Sequence, residues 1–218
     1  MDDIKPVIYV IDDELSVGTA LRRLIHSVGL AVQTFTSAQE FLDAKLQDAP
    51  GCLVLDVRMP GMSGLEVQQR LAAAGISLPV IFLTGHADIE MTVRAMKAGA
   101  IEFLTKPFHE QELLDAIQAA LRRHRIELEN RMERSALQAH YESLTSRESE
   151  VFRLVTNGLL NKQIAAELGA SEKTIKVHRA QVMRKMDAGS LADLVRMAEK
   201  LQIGPLPPKS DFSRTKVR

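Results

Sequence analysis

Five short, almost unbroken apolar runs punctuate the first half of the chain, and a stretch of mixed, helix-like polarity follows each. They are VIYVI (Val7–Ile11), AVQTF (Ala31–Phe35), CLVLD (Cys52–Asp56), VIFLT (Val80–Thr84) and IEFL (Ile101–Leu104). A strand with one wet face would alternate apolar and polar residues. Runs without polar interruption belong to strands covered on both sides, as in a parallel sheet between helical layers. Two of the intervening helices open with a hydroxyl-x-x-acid capping box, Ser37 with Glu40 and Ser63 with Glu66. The pattern predicts an α/β fold, a flavodoxin-like (βα)5 unit with parallel strand order 2-1-3-4-5. Its last helix is expected to start near His109.

The second half contains no strand-like run. Thr145 with Glu148 forms another capping box, and the helix it opens is closed by Gly158. Asn161 is expected to cap a short helix through Leu168, and Gly169–Ala170–Ser171 to make a turn. Ser171 then caps a longer helix to about Met186, and Ser190 with Asp193 opens a fourth. Two helices joined by a short Gly-containing turn are the signature of a helix-turn-helix, although a generic helical bundle would share much of this pattern. Residues 109–141 contain neither Pro nor Gly and predict a long helix. Leu114, Ile117, Leu121 and Leu128 form a seam along it, which His124 and Arg131 interrupt, so a coiled-coil pairing stays open. The expected domains are 1–123, a helical linker 124–143, an all-α domain 144–203 and a disordered tail 204–218.

The 218 residues are 45% hydrophobic and 26% charged, the balance of a globular chain. No apolar run approaches the roughly 20 residues of a membrane span. The opening MDDIKPVIYVIDDE carries acids where a secretory signal needs basic residues, so a cytoplasmic location is expected. The single cysteine, Cys52, sits in an apolar run and reads as core. Net charge is zero but unevenly divided. Residues 1–124 hold 11 Lys+Arg against 16 Asp+Glu, and the remainder 17 against 12. That split suits an acidic domain handling cations and a basic one meeting a polyanion, although ordinary solvated faces would carry the same charges.

The acidic half places its chemistry at strand ends. Asp12 and Asp13 follow the first predicted strand and Asp56 closes the third, while Thr84 closes the fourth and Lys106 lies just past the fifth. In a doubly wound sheet these positions converge on the crevice outside the carboxyl ends, at the topological switch point. Crowded carboxylates repel one another unless a cation sits among them, and oxygen-only ligands suit Mg²⁺ or Mn²⁺. Asp56, central in the group, is the natural nucleophile toward a phosphorus centre. Lys106 and Thr84 could neutralise and hold phosphoryl oxygens. A Rossmann dehydrogenase is excluded, because DDELSVG stands where a Gly-rich loop is required. A dehalogenase-type phosphatase would need an acid where Arg58 stands.

The segments VIYVIDDE, LVLDVRMPGMSGLE, VIFLTGHAD and AMKAGAIEFLTKPF resemble the receiver domain of a two-component response regulator. The segment LTSRESEVFRLVTNGLLNKQIAAELGASEKTIKVHRAQVMRKM resembles a LuxR-type DNA-binding domain, and the pairing resembles the NarL/FixJ family. The resemblance implies that Asp56 accepts phosphate from a cognate sensor histidine kinase. It implies Mg²⁺ held by Asp13, Asp56 and the backbone carbonyl of Arg58, with Asp12 acting through water. Thr84 and Phe103 would be the switch pair, and Lys106–Pro107 a cis peptide. It further implies a homodimer on phosphorylation and double-stranded DNA and RNA polymerase as partners. Catalysis would extend no further than slow loss of its own phosphoryl group. His86, Met59 and Met62 read as border and packing residues, and Glu90 stands where many relatives carry Pro, leaving a helix cap at Asp88 less rigid.

In the basic half the long helix carries Lys173, Lys176, Arg179, Arg184 and Lys185, with Ile175, Val182 and Met186 as its packing face. The N-terminal part of such a helix enters the major groove, where cations touch phosphates or guanine edges. By resemblance Lys176 and Val177 face bases, while Asn161, Lys162 and Thr174 clamp the DNA backbone. Ala180 stands where some relatives carry a base-contacting lysine, so no operator transfers from them. A receiver acting only through protein contacts is the remaining alternative.

Overall fold

The computed structural model describes residues 5–85 and 89–204. His86, Asp88 and the expected disordered tail from 205 onward lie outside the described residues. The chain divides into two compact units between Glu129 and Asn130.

The first unit holds β1 (Val7–Ile11), α1 (Leu15–Ser27), β2 (Ala31–Phe35), α2 (Ala38–Asp43) and β3 (Gly51–Asp56). It continues with α3 (Gly64–Ala73), β4 (Val80–Thr84), α4 (Ile89–Lys97), β5 (Glu102–Thr105) and the start of α5 (Glu110–Glu142). All strand pairs are parallel in the order β2-β1-β3-β4-β5, as the apolar runs predict. The three central strands are buried throughout, whereas the edge strands β2 and β5 are only half-covered. Strand alternation then sorts the core into two layers. Tyr9, Leu53, Leu55 and Phe82 pack with Phe41 of α2 and Val67 of α3. Val10, Cys52, Val54 and Ile81 pack on the other side with Ile25 of α1 and Ile117 of α5. Burial drives the Cys52 thiol far above its ordinary range, which leaves it an inert core group.

The seam of α5 differs from the one read in the sequence. Leu113, Ala116, Ile117, Ala120 and His124 are its buried residues in this unit, so Ile117 is spent on the sheet rather than left for a partner helix. His124 lies inside the unit rather than in a linker: its Nδ1 accepts a 2.9 Å hydrogen bond from the Gly51 N–H at the start of β3. Residues 129–136 are exposed.

The second unit begins within α5 and adds α6 (Ser146–Thr156), α7 (Asn161–Leu168), α8 (Glu172–Lys185) and α9 (Leu191–Lys200). Thr145, Ser171 and Ser190 each accept a hydrogen bond from the backbone N–H three residues on, as N-caps should. Asn161, expected as a cap, is instead the first helical residue of α7. Leu160 takes the extended cap conformation, and its N–H donates to Gln163 Oε1 at 2.8 Å. Gly169, at φ +61, ends α7 in the left-handed conformation that glycine adopts most cheaply, and so sets the turn into α8. The core of this unit is Val151, Phe152, Ile164, Ile175, Val182 and Leu194 with their neighbours. Leu137 and Tyr141 of α5 pack against it. The Tyr141 ring stands edge-on to Phe152 at 5.2 Å, and its hydroxyl bonds Ser149 Oγ at 2.7 Å and receives Arg153 Nε at 3.2 Å.

Candidate functional site

Parallel strands that end together deliver their next side chains to one rim, and the acids meet there. One oxygen from each of Asp12, Asp13 and Asp56 lies within 4.8 Å of the others. Asp12 and Asp56 are buried, and Asp13 is exposed. Lys106 reaches in from beyond β5. Its Nζ donates to Asp12 Oδ2 at 2.8 Å and stands 3.6 Å from Asp56 Oδ1. The Lys106 N–H donates to the Thr84 carbonyl at 2.7 Å, which ties the residue to the end of β4, and the Lys106–Pro107 peptide is cis. Thr84 is fully buried at the end of β4. Phe103 is half-buried on β5, its ring 6.0 Å from that of Phe82.

Burial pushes the Asp56 carboxyl above the usual carboxylate range. Lys106 pulls it down, and the Asp12 and Asp13 charges push it further up. Burial also works against the charged form of Lys106, but the hydrogen bond to Asp12 and the attraction of Asp12, Asp56 and Glu14 hold it above its usual value. Three acids answered by one ammonium leave negative charge uncompensated at a rim made of oxygens, which is the environment a hard divalent cation seeks. Arg58 and Asp13 line an adjoining cleft of about 810 Å³ together with Met59, Glu66 and Met91.

The basic residues of the second unit sort differently from their sequence order. Lys173, Lys176, Val177 and Ala180 are exposed along one face of α8, Val177 retaining 56% of its accessible surface. Lys162 is exposed at the start of α7. Arg179 Nη1 donates to Asn161 Oδ1 at 3.1 Å. The Thr174 hydroxyl is engaged with the Ser171 cap at 2.9 Å, and Arg184 donates to Gln181 within α8 at 2.7 Å. Lys185 is drawn away from this face: its Nζ donates to the buried Glu148 carboxylate at 2.6 Å and to the Ser143 carbonyl at 3.0 Å. The Lys185 hydrogen bond, with that of the Thr145 N–H, holds the Glu148 carboxyl below its usual range.

Residues 8–118 match the response regulator receiver domain, and residues 142–198 match the bacterial regulatory proteins of the luxR family. The chain belongs to the response regulators. Nodulation protein W of Bradyrhizobium diazoefficiens is 52% identical to it over 199 residues, 91% of this chain and 88% of that one. The transcriptional regulatory protein FixJ of Azorhizobium caulinodans is 45% identical over 198 residues, 91% and 94% of the two chains. A solved structure of the response regulator StyR is 51% identical, superposes with a TM-score of 0.81, and covers 90% of this chain and 99% of its own. The regulator is therefore a two-component transcriptional regulator of the FixJ type, a receiver followed by a LuxR-type DNA-binding domain. None of its described helices is long and apolar enough to cross a membrane.

Several supporting residues of the regulator carry no sequence signal of their own. Glu148 was legible as a capping-box acid, but nothing in the chain indicates that Lys185 would close on it. Arg147, given no role by the sequence pattern, donates to the Leu168 carbonyl at 2.5 Å and so holds the end of α7 at the turn. Gly64 is similar. A Cβ there would stand 2.5 Å from the Asp56 carbonyl oxygen and 3.0 Å from Leu55 Cγ, so the start of α3 sits against the strand that carries Asp56 because glycine lacks one. Gly64→Ala is expected to destabilise the receiver by about 1–3 kcal/mol through overpacking. Thermal unfolding measures it, and an unchanged Tm would mean that α3 moves aside freely.

Proposed function

We propose that the regulator is switched by transfer of a phosphoryl group from a sensor histidine kinase to Asp56, and that the phosphorylated form binds its operator as a dimer. The observation that carries the reading is the gathering of Asp12, Asp13 and Asp56 within 4.8 Å, with the Lys106 ammonium 3.6 Å from Asp56. The donor set suits Mg²⁺ or Mn²⁺, which Asp12, Asp13, Asp56 and the Arg58 backbone carbonyl would hold. Bound there, the cation neutralises the charge of the incoming phosphoryl oxygens.

Asp56 attacks phosphorus through a carboxylate oxygen, the bond from phosphorus to the kinase histidine nitrogen breaks, and an acyl phosphate remains. Lys106 exchanges part of its attraction to Asp12 for the new phosphoryl oxygens, and the Thr84 hydroxyl turns toward them. Phe103 then turns inward and reshapes the surface of α4, β5 and the start of α5, around Val93–Lys97, Phe103 and His109–Ala116. That surface pairs with a second copy. Val93 and Met96, each 43% exposed on α4, are apolar groups such pairing would cover. The receiver is assigned to the residues up to Glu129, which takes in His124, and the DNA-binding part to those from Asn130 onward, α5 linking the two. Lys173, Lys176, Val177, Arg179 and Arg184 are assigned to DNA from the recognition helix α8, with Lys162 and Thr174 at the backbone. RNA polymerase is the downstream partner, and the setting is the cytoplasm.

Asp56→Asn keeps the shape of the side chain but removes the nucleophile. Intact mass after treatment with acetyl phosphate and Mg²⁺ should show one added phosphoryl group in the native chain and none in the variant. Equal labelling of both would overturn the assignment.

A further inference from the structure

The link between α7 and α8 assigns Asn161 a different task from the backbone clamp that its motif implies. We propose that Asn161 is a positioning residue: its side-chain carbonyl holds the Arg179 guanidinium at the edge of the recognition helix, and Arg179, not Asn161, meets a DNA phosphate. This rests on the reading that α8 faces DNA.

Arg179 sits half-buried on α8, one position round the helix from the exposed Lys176–Ala180 face, and Nη1 donates to Asn161 Oδ1 at 3.1 Å. The bond spans two helices and 18 positions of sequence, unlike the Arg184–Gln181 bond, which stays within one turn of α8. Its effect on the side chain is therefore to fix direction, since a long arginine tethered at a point off its own helix loses most of its rotamers.

The chemistry of the tether matters as much as its place. Lys185, Arg147 and Arg196 are each paired with a carboxylate, Glu148, Glu150 and Asp193. Among the described residues no ion pair involves Arg179. A carboxamide oxygen accepts one guanidinium N–H and takes nothing from its charge. The planar fork keeps its remaining donors, whose geometry suits a phosphate. The same α7 turn presents the exposed Lys162, so two cations stand together where the strand would pass. Being the first residue of α7 leaves Asn161 free to reach sideways, because Leu160 and Gln163 provide the cap.

The test is a double-mutant cycle on the full chain with a 30-base-pair duplex of random sequence, titrated by anisotropy at several salt concentrations. Arg179→Ala should make the slope of log K against log salt shallower by about one, the signature of one lost phosphate contact. Asn161→Ala should weaken binding about three- to fivefold with the slope nearly unchanged, because the cation is still present but no longer aimed. In the Arg179→Ala background Asn161→Ala should have no further effect. Asn161→Asp should flatten the slope by about one, since it keeps the tether but neutralises the charge. A loss from Asn161→Ala that is equal in both backgrounds would make Asn161 a direct contact and overturn the proposal. So would native binding by Asn161→Asp. If Asn161→Ala lowers Tm, Asn161→Ser, which suits a helix start but cannot reach Arg179, takes its place in the cycle. If the native chain ignores the duplex at every salt concentration, the reading of α8 as a DNA-binding helix falls instead.

Discussion

A fragment starting at Asn130 is expected to unfold as a cooperative domain, and one starting at Leu144 to be less stable by about 3–5 kcal/mol. The family motif begins near residue 142, so Leu144 looks like a natural boundary. The packing places it too late. Leu137 and Tyr141 cover the core around Phe152, and the Tyr141 hydroxyl occupies Ser149 Oγ and Arg153 Nε. Cutting at 144 removes the apolar cover and leaves those polar partners with water alone. It also deletes the Ser143 carbonyl that receives Lys185, weakening the link between α8 and Glu148. A helical unit of this size buries little surface to begin with, so the loss falls on a small margin. Urea titration of the two fragments followed by circular dichroism measures the difference. Coincident midpoints would mean that the end of α5 adds nothing to the fold.

The same region shows how far the chain could be read in advance. β1, β3 and β4 were legible because strands buried on both faces stay apolar up to their carboxyl ends, where Asp56 and Thr84 stand. The strand-end acids were legible because a parallel sheet must deliver Asp12, Asp13 and Asp56 to one rim. The seam of α5 was not. Leu113 and Leu114 are equally apolar neighbours, and only the angle at which the helix meets the sheet decides that Leu113 is fully buried. Nor could periodicity show that a histidine, His124, would be buried by an N–H it accepts from Gly51, since that bond joins positions 73 apart. Long cations are the hardest to place. Lys176 and Lys185 carry the same charge on the same helix, yet one stands in solvent and the other closes on Glu148. Asn161 misled for a related reason, because the residue type that caps helices is also one that tethers an arginine.

Phosphorylation is expected to tighten DNA binding of the full chain by about 10²–10⁴-fold while converting monomer to dimer, and to leave the Asn130 fragment unchanged. The gain comes from geometry rather than new contacts. On the proposed assignment, one recognition helix offers only the exposed Lys176 and Val177 to base edges, which limits one copy to a few base pairs. A two-fold dimer carries two such helices, and the second engages at an effective concentration set by its tether to the first. The phosphoryl group need therefore only promote pairing of receivers, and the affinity of each α8 for its half-site can stay constant. Light scattering coupled to chromatography, run beside a DNA titration at matched concentrations, separates the two quantities. The Asn130 fragment should bind weakly whether or not acetyl phosphate is present, and Asp56→Asn should hold the full chain at the unphosphorylated affinity. Tightening at concentrations where the phosphorylated chain stays monomeric would remove dimerisation as the switch. Release of a recognition helix masked by the receiver would then account for the gain. The two mechanisms also differ in a way that one further curve reveals. Unmasking gives binding that is first order in protein at every concentration, whereas pairing gives an isotherm that steepens where the monomer is in excess and relaxes once the dimer dominates.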